Sequence, residues 1–333
     1  NEENLKQRIK ESTIPATIKN FKITTYNEDS TAVVIDMTDY LVSADEAINP
    51  FSPWAPILAG GERVMEKEFR RENSQVVSIK AFEDNVSVKS SLTYGLSLKN
   101  KVMYIFQREP FTAVMTRSFI LLPEHPMRPR LADPRIAIFS QGVSVFNGDS
   151  RGAQARYYAQ RWNLEPKDME QYRKGVLTEP KKPIVFYIDR ATPEFLVPYF
   201  IQAVNVWQGA FEKAGFKNAI YGKLAPTPEE DPDYCEGDIR YPLVSYKASP
   251  IANAYGPMVF DPRSGEIITS HIAIFHSVLE LIQRWYFVMC GAVDPRAREY
   301  PLSQEVMGEL AATVLTHEVG HTLGLRHNFI GST

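Results

Sequence analysis

The residues best suited to chemistry lie near the end of the sequence, where three of the six histidines fall between His317 and His327. Residues four apart share one face of an α-helix, so His317 and His321 can present two imidazoles to one ion. Gly324 can adopt a positive φ and end the helix, so that the chain turns back and His327 supplies a third nitrogen. Three neutral imidazoles leave the fourth position of a tetrahedral zinc ion open, which is typical of a catalytic zinc site.

Glu318 decides whether such a site would hydrolyse a substrate or only bind metal. It follows the first histidine, so it can reach a water on the ion but is poorly placed to ligate the ion itself. Zinc lowers the pKa of its water toward about 7 and polarises a scissile carbonyl, while the carboxylate passes the proton to the leaving amine. The sequence therefore predicts one catalytic Zn²⁺ held by His317, His321 and His327, with Glu318 as general base.

The motif is long enough to be specific. The string His-Glu-x-x-His-x-x-Gly-x-x-His fixes five positions and, at uniform residue usage, arises by chance in roughly one chain of this length in ten thousand. A pair of histidines four apart would by itself be an ordinary surface or core feature. His271 and His276 are five apart, a spacing that matches neither a strand face nor a helix face, so we predict structural roles for both.

Composition excludes several other classes of protein. The 333 residues are 44% hydrophobic and 23% charged, as in an ordinary folded chain rather than a disordered one. The net charge is −3, from 37 basic and 40 acidic residues, which argues against a nucleic-acid partner. No run of 18 apolar residues occurs, so no transmembrane segment is predicted. The spacing of Cys235 and Cys290 matches no zinc knuckle. The sequence leaves open whether the two residues are separate thiols or form one disulfide.

The first half of the chain has the pattern of β-strands. Apolar and polar residues alternate in Phe21–Tyr26, Leu92–Leu98 and Val114–Ile120, as in half-buried antiparallel strands. A polar segment then runs to about Pro183 and ends in Glu-Pro-Lys-Lys-Pro, which is typical of an extended linker. We therefore predict a β-rich N-terminal domain over residues 1–180 and a second domain over 181–333.

The second half has the pattern of an α/β arrangement. Ile184–Ile188 is an apolar run of strand length, and Pro193–Ala214 shows helical spacing of apolar residues. Further strands are predicted at Ala219–Leu224, Ile239–Tyr246, Pro257–Phe260 and Glu266–Phe275, and further helices at Ser277–Met289 and Ser303–Leu323. The whole chain is thus predicted to be α+β, with a mixed sheet covered by helices and the metal-binding helix at the end.

The motif His317 to His327 resembles the long zinc-binding motif of the metzincin clan of zinc endopeptidases. Residues 155–333 are also similar to a family of large bacterial zinc-dependent metalloproteases, common in Bacteroidetes, that carry domains of unknown function. This wider similarity rests on short segments: Arg161–Pro166, Pro183–Asp189, Gly256-Pro257, Asp261–Ile267, Arg284–Phe287, Asp294–Arg298 and His317–Asn328. Members of the family carry a β-rich domain before the protease, and residues 1–150 are compatible with one.

The resemblance implies an exported, extracytoplasmic protein that acts on peptides or proteins. It also implies that Glu266–Phe275 is the edge strand along the cleft, where Ser270, His271, Ile272 and Ala273 would bind an extended substrate by strand addition. Metzincins place a methionine-containing turn after the third histidine, whereas this sequence stops at Thr333. We therefore expect the sequence to be a piece of a longer protease.

Two alternatives stay open at the level of sequence. One is an extracytoplasmic binding or structural module whose protease half is inactive or incomplete; a lost Glu318 or His327 would favour it, and both are present. The other is a zinc amidase for non-peptide substrates, which would use the same residues and the same chemistry. The sequence predicts neither the oligomeric state nor the substrate.

Overall fold

The chain packs as two units, Asn1–Leu121 and Leu122–Thr333. The computed structural model describes residues 2–51, 64–100, 102–147 and 152–328. The boundary predicted near residue 180 falls inside the second unit. It therefore marks a change in amino-acid composition and does not coincide with the division into two packed units. The predicted domains over 1–180 and 181–333 stay a prediction.

The first unit is rich in β-structure, as the alternating patterns predict. Three long strands form an antiparallel sheet in the order β3-β4-β5, and two short strands, β1 and β2, pair separately. A small core forms where Leu92 and Tyr94 are buried together with Val42. The elements are α1 (Glu2–Ser12), β1 (Ile23–Tyr26), β2 (Val33–Ile35), α2 (Thr38–Leu41), β3 (Val64–Ala81), β4 (Asn85–Lys99) and β5 (Tyr104–Ile120).

The second unit contains a hairpin and a mixed sheet with helices. The hairpin consists of β6 (Ser140–Val145) and β7 (Gln154–Ala159). The remaining strands are β8 (Ile184–Ile188), β9 (Ile220–Leu224), β10 (Leu243–Lys247), β11 (Ala254–Tyr255), β12 (Met258–Phe260) and β13 (Ile267–Phe275). The helices are α3 (Met169–Arg173), α4 (Val197–Asn205), α5 (Gln208–Lys213), α6 (Val278–Cys290) and α7 (Gln304–Thr322), with 3₁₀ turns at Glu194–Leu196 and Pro295–Arg298.

The mixed sheet has the order β11-β13-β10-β8-β9, and β12 also pairs with β13. The strands β13, β10, β8 and β9 are parallel, whereas β11 and β12 run antiparallel to β13. Parallel strands are joined by crossovers that place helices on the faces of the sheet, and α4 and α7 both pack against it here. The predicted α+β fold, with the mixed sheet and the last helix, is confirmed.

One core links the sheet to the last helix. Ile184, Phe186 and Ile188 of β8 are at most 2% exposed, and they pack in one cluster with Leu315 and Val319 of α7. Burying large apolar side chains completely contributes about 1.5–3 kcal/mol each, so this cluster fixes the helix against the sheet. The orientation of α7 is thereby set by its apolar face, independently of any ligand.

The helix predicted over Pro193–Ala214 is interrupted in the structure. It divides into a 3₁₀ turn, α4 and α5, because the amide of Trp207 bonds to the carbonyl of Val204 three residues back rather than four, at 3.3 Å. The indole Nε1 of Trp207 meanwhile donates to the carbonyl of Thr316 in α7 at 3.1 Å. The break thus coincides with a tertiary hydrogen bond, which the spacing of apolar residues in the sequence cannot predict.

The described residues also bear on the predictions about membranes and cysteines. None of the helices in the described ranges has both the length and the apolar character needed to cross a membrane. Cys235 and Cys290 are half-buried and are not joined in a disulfide.

Candidate metal centre

The last helix presents two of the three histidines. Ser303 caps the start of α7, where its side chain accepts a hydrogen bond from the amide of Val306. His317 and His321 lie four residues apart on this helix with ring centroids 4.6 Å apart. Both imidazoles lie outside the buried set that holds α7 against the sheet, and His317 is exposed. The helix therefore offers two ligands from a rigid, well-packed element.

Gly324 ends the helix in the way the sequence predicts. Its φ is +99°, which is a left-handed conformation that favours glycine. The amide of Gly324 bonds to the carbonyl of His321 at 2.9 Å, and the amide of Leu325 bonds back to Gly320 at 3.1 Å. These bonds close the helix end and reverse the chain direction.

The segment after the glycine is held by a stretch that sequence reasoning missed. The amide of Phe139 donates to the carbonyl of Gly324 at 2.7 Å, and the amide of Arg326 donates to the carbonyl of Ala137 at 2.8 Å. Ile138 and Leu325 form an antiparallel bridge between these two bonds. Because this pairing fixes the residues just before His327, it brings the third imidazole back to the helix.

The three imidazoles converge on one point. Nε2 of His327 lies 3.1 Å from Nε2 of His317 and 3.2 Å from Nε2 of His321. Zn–N bonds of about 2.0–2.1 Å in a tetrahedron would separate such nitrogens by about 3.3 Å. All three residues offer ligand atoms within 4.8 Å of one another. The donor set therefore fits a zinc ion with one position left open.

The surroundings of the rings favour their neutral, metal-binding form. Nδ1 of His321 lies 2.8 Å from the carbonyl oxygen of Leu325, so this nitrogen carries the proton and Nε2 keeps its lone pair. Burial lowers the pKa of His317, and the neighbouring His321 and His327 lower it further. An imidazole with a lowered pKa stays neutral, and so able to bind a cation, at a lower pH.

Glu318 sits on the buried side of the same helix turn and is 8% exposed. Burial raises the pKa of its carboxyl group, while His321 and a hydrogen bond from the amide of Gly256 act in the opposite direction. A buried carboxyl group whose ionised form is favoured by a backbone amide and a neighbouring imidazole has the setting of a general base rather than of a solvated surface group.

Gly256 allows the edge of the sheet to approach this helix. A Cβ atom at this position would lie 2.9 Å from Cγ2 of Thr322 and 3.0 Å from the carbonyl oxygen of Glu318. In the sequence, Gly256-Pro257 contributes only to the family resemblance, and no pattern assigns a role to the glycine. The close approach explains why a residue without a side chain stands there.

Two tryptophans support α7 close to the histidines. Nε1 of Trp162 donates to the carbonyl of Thr322 at 2.9 Å, and Nε1 of Trp207 donates to that of Thr316 at 3.1 Å. The ring of Trp207 also fills the space beside Gly320, where a Cβ atom would lie 2.9 Å from its nearest carbon. These contacts restrict the helix turn that carries the first two histidines.

The predicted edge strand is wrong. β13, which corresponds to the predicted strand Glu266–Phe275, lies between β10 on one side and β11 with β12 on the other. Ala273 pairs with both Ser245 and Tyr255, so the strand that carries Ser270, His271, Ile272 and Ala273 is not an edge strand. The edge on this side of the sheet is formed by β11 and β12, which have two and three residues. Strands this short are hard to recognise from the alternation of apolar and polar residues, so the sequence favours the longer β13.

His271 and His276 do not join the metal centre. Burial lowers the pKa of His271, and Nδ1 of His276 lies 2.7 Å from the hydroxyl of Tyr246. Among the described residues, His317, His321 and His327 form the group of histidine, cysteine and acidic side chains that could hold a metal ion.

Comparisons with protein families agree with this geometry. A family model described as a domain of unknown function (DUF5117) matches residues 1–167, half of the chain. A second family model, described as Met-zincin, matches residues 299–333, which contain α7 and all three histidines. Searches of curated proteins and of solved structures gave no match. The chain therefore belongs to the DUF5117 family, and its C-terminal segment, residues 299–333, is similar to the Met-zincin family.

Proposed function

We propose that this chain is the metal-binding part of a zinc-dependent endopeptidase that hydrolyses peptide bonds. The observation that carries the proposal is the convergence of the three Nε2 atoms, two from α7 and one returned by Gly324, on the helix turn that also carries the buried Glu318. A site made only to hold an ion has no need of a carboxylate at that position.

His317, His321 and His327 would hold the zinc ion through Nε2. A bound zinc ion supplies Lewis acidity, which lowers the pKa of a water and polarises a carbonyl group. The Met-zincin match supports zinc as the metal, and the three-nitrogen donor set is of a kind that suits it.

Glu318 is the residue that would move the proton. Its carboxylate accepts a proton from the attacking water and delivers it to the nitrogen of the leaving amine, as a general base and then a general acid. The amide of Gly256 and the imidazole of His321 both favour the ionised form of this carboxyl group, which is the form that a general base needs.

The edge formed by β11 and β12 is the better candidate for holding the substrate. An extended peptide can add to a free sheet edge by main-chain hydrogen bonds, and this edge lies beside Gly256, which contacts Glu318. We therefore transfer the substrate-holding role predicted for Ser270–Ala273 to residues 254–260. The extracytoplasmic location implied by the resemblance stays part of the proposal.

The test compares Glu318→Gln with His321→Ala in the full-length natural protein. Metal content and cleavage of a peptide library are measured for both variants and for the unmodified protein. We expect Glu318→Gln to keep its zinc and to lose at least about 10²-fold in cleavage rate, and His321→Ala to lose both. Cleavage retained by Glu318→Gln overturns the proposed base, and absence of zinc from the unmodified protein overturns the metal centre.

A further inference from the structure

The second unit contains a pocket that is separate from the metal centre. Its volume is about 730 Å³, which is within the range of about 300–1,000 Å³ found for small-molecule sites. Its lining includes Trp162, Phe211 and Leu323, whereas neither Glu318 nor any of the three zinc-binding histidines is part of the lining. The pocket is therefore separate from the proposed peptidase chemistry, and binding of a ligand in it would not depend on that function.

Part of the pocket lining is apolar and largely aromatic. Trp162, Leu164, Phe211 and Leu323 pack against the main core, so their positions are fixed by the fold. Met169 contributes a side chain that is 46% exposed at the start of α3. An apolar ligand body about the size of a phenylalanine side chain would be removed from water by such a wall.

Three arginines make another part of the lining cationic. Arg128, Arg130 and Arg161 line it, and among the described residues none of the three has an ion-pair partner. Glu165 is the acidic residue of the lining, and it is paired with Lys181 at 2.8 Å. The local charge of the pocket is therefore positive.

Arg161 is held in place by a hydrogen bond to the backbone and has no ion-pair partner among the described residues. Its Nη2 donates to the carbonyl of Arg128 at 3.0 Å, while its Nε is buried without a hydrogen-bond partner. Burial lowers the pKa of this guanidinium and repulsion from Arg130 lowers it further, whereas the nearby Glu266 acts in the opposite direction. Burying a guanidinium in this way costs free energy, and an anion bound in the pocket would offset part of that cost by charge attraction.

We propose that this pocket binds an organic acid, in which a carboxylate faces Arg128, Arg130 and Arg161 and an apolar body lies against Trp162 and Phe211. Arginine forms paired, charge-assisted hydrogen bonds with carboxylates, so the carboxylate gives the binding its specificity. The same chemistry is offered by a free apolar acid and by the C-terminal residue of a peptide.

The first experiment compares acids with their amides. N-acetylphenylalanine, its amide, and a tetrapeptide ending in phenylalanine as free acid or amide are titrated into the full chain by ligand-observed NMR. We expect each acid that binds to do so at least about tenfold more tightly than its amide. Tighter binding of the tetrapeptide acid identifies a peptide C-terminus as the source, and tighter binding of the small acid identifies a free acid.

Substitutions at the surface of the pocket test the same idea without touching the core. Arg128→Ala combined with Arg130→Ala should weaken acid binding about tenfold and leave amide binding unchanged, since both side chains are exposed. Arg135→Ala, which removes an exposed arginine paired with Asp133, is the matched control and should change nothing. Met169→Glu should abolish acid binding by repulsion, whereas Met169→Leu should preserve it.

The proposal is overturned by three results. Equal affinity for acid and amide would remove the role of the arginines. Unchanged acid binding after loss of Arg128 and Arg130 would place the ligand elsewhere. If circular dichroism shows a native fold and none of the acids binds, then organic acids are not ligands of this pocket.

Discussion

Nδ1 of His321 lies 2.8 Å from the carbonyl oxygen of Leu325, four residues further along the chain. This hydrogen bond orients the imidazole and assigns its proton to Nδ1, so that Nε2 faces His327. The carbonyl can reach the ring only because the chain reverses at Gly324, whose φ is +99°. The backbone conformation of Gly324 thus brings His327 back to the helix and also sets the tautomer of His321.

Gly324→Ala should therefore cost more than backbone strain alone. A Cβ atom would collide with the carbonyl of Gln160, in addition to the cost of a positive φ. Gly175 is the matched control, because its φ is +77° and nothing lies within 4 Å of a Cβ placed there. We expect Gly175→Ala to lower the free energy of unfolding by about 1 kcal/mol and Gly324→Ala to lower it by at least about 2 kcal/mol more.

Urea unfolding of both variants measures this difference, and zinc titration measures its consequence. We expect only Gly324→Ala to weaken zinc affinity, because only that turn carries His327 back to the helix. Equal losses of stability in the two variants would show that the contact with Gln160 is unimportant.

Zinc should stabilise the second unit against heat. An ion that binds the folded chain at about 100 times its Kd adds about 2.7 kcal/mol, which corresponds to a rise in Tm of roughly 5–10 °C for a unit of this size. Calorimetry with zinc, and again after a chelator is added, measures the shift. His327→Ala should abolish the rise, whereas His125→Ala, at an exposed histidine away from the metal centre, should retain it. A rise in His327→Ala would place the bound ion outside this centre.

Gly256→Ala should reduce activity while zinc stays bound. The added Cβ presses against Cγ2 of Thr322 and the carbonyl of Glu318, so the edge must move away and the Gly256 amide no longer favours the ionised form of the Glu318 carboxyl group. We expect a fall in kcat of about tenfold or more, with little change in zinc content.

Thr322→Ser provides the rescue for this variant. Serine removes Cγ2 but keeps the hydroxyl that donates to the carbonyl of Val319 at 2.7 Å. The double variant should regain part of the lost kcat, because only the contact with the Glu318 carbonyl remains. A double variant no better than Gly256→Ala alone would show that the Thr322 methyl is not what displaces the edge.

The features that could be predicted from the sequence are those that depend on a short stretch of consecutive residues. Strand β8 follows from an apolar run, and the pairing of His317 with His321 on helix α7 and the turn at Gly324 follow from residue spacing and a glycine at the right position. The predicted edge strand is wrong because β11 has two residues and its place in the sheet depends on pairing with β13. The pairing of residues 137–139 with 324–326 joins segments almost 190 positions apart, and no local pattern signals it.

Asp261 provides a stability prediction with a defined pH dependence. Its side chain is fully buried and accepts hydrogen bonds from Nη2 of Arg263 at 2.7 Å and from the amide of the same residue at 2.8 Å. The bond from the Arg263 side chain is the main cause that lowers the pKa of this carboxyl. Because the folded pKa lies below the unfolded one, the stabilisation is fully present above the unfolded value of about 3.9 and is lost as pH falls through the folded value.

Asp261→Asn should therefore lower the free energy of unfolding by about 1–3 kcal/mol at pH 7 and have a smaller effect at pH 3. Asp133→Asn is the matched control, since Asp133 also accepts from an arginine two residues on, but the Arg135 side chain of that pair is 87% exposed. Solvent screens such a pair, so its loss should have a much smaller effect than the loss of the Asp261 carboxylate. Urea unfolding at the two pH values distinguishes the variants, and an effect of Asp261→Asn that grows as the pH falls would contradict the assignment of a lowered pKa.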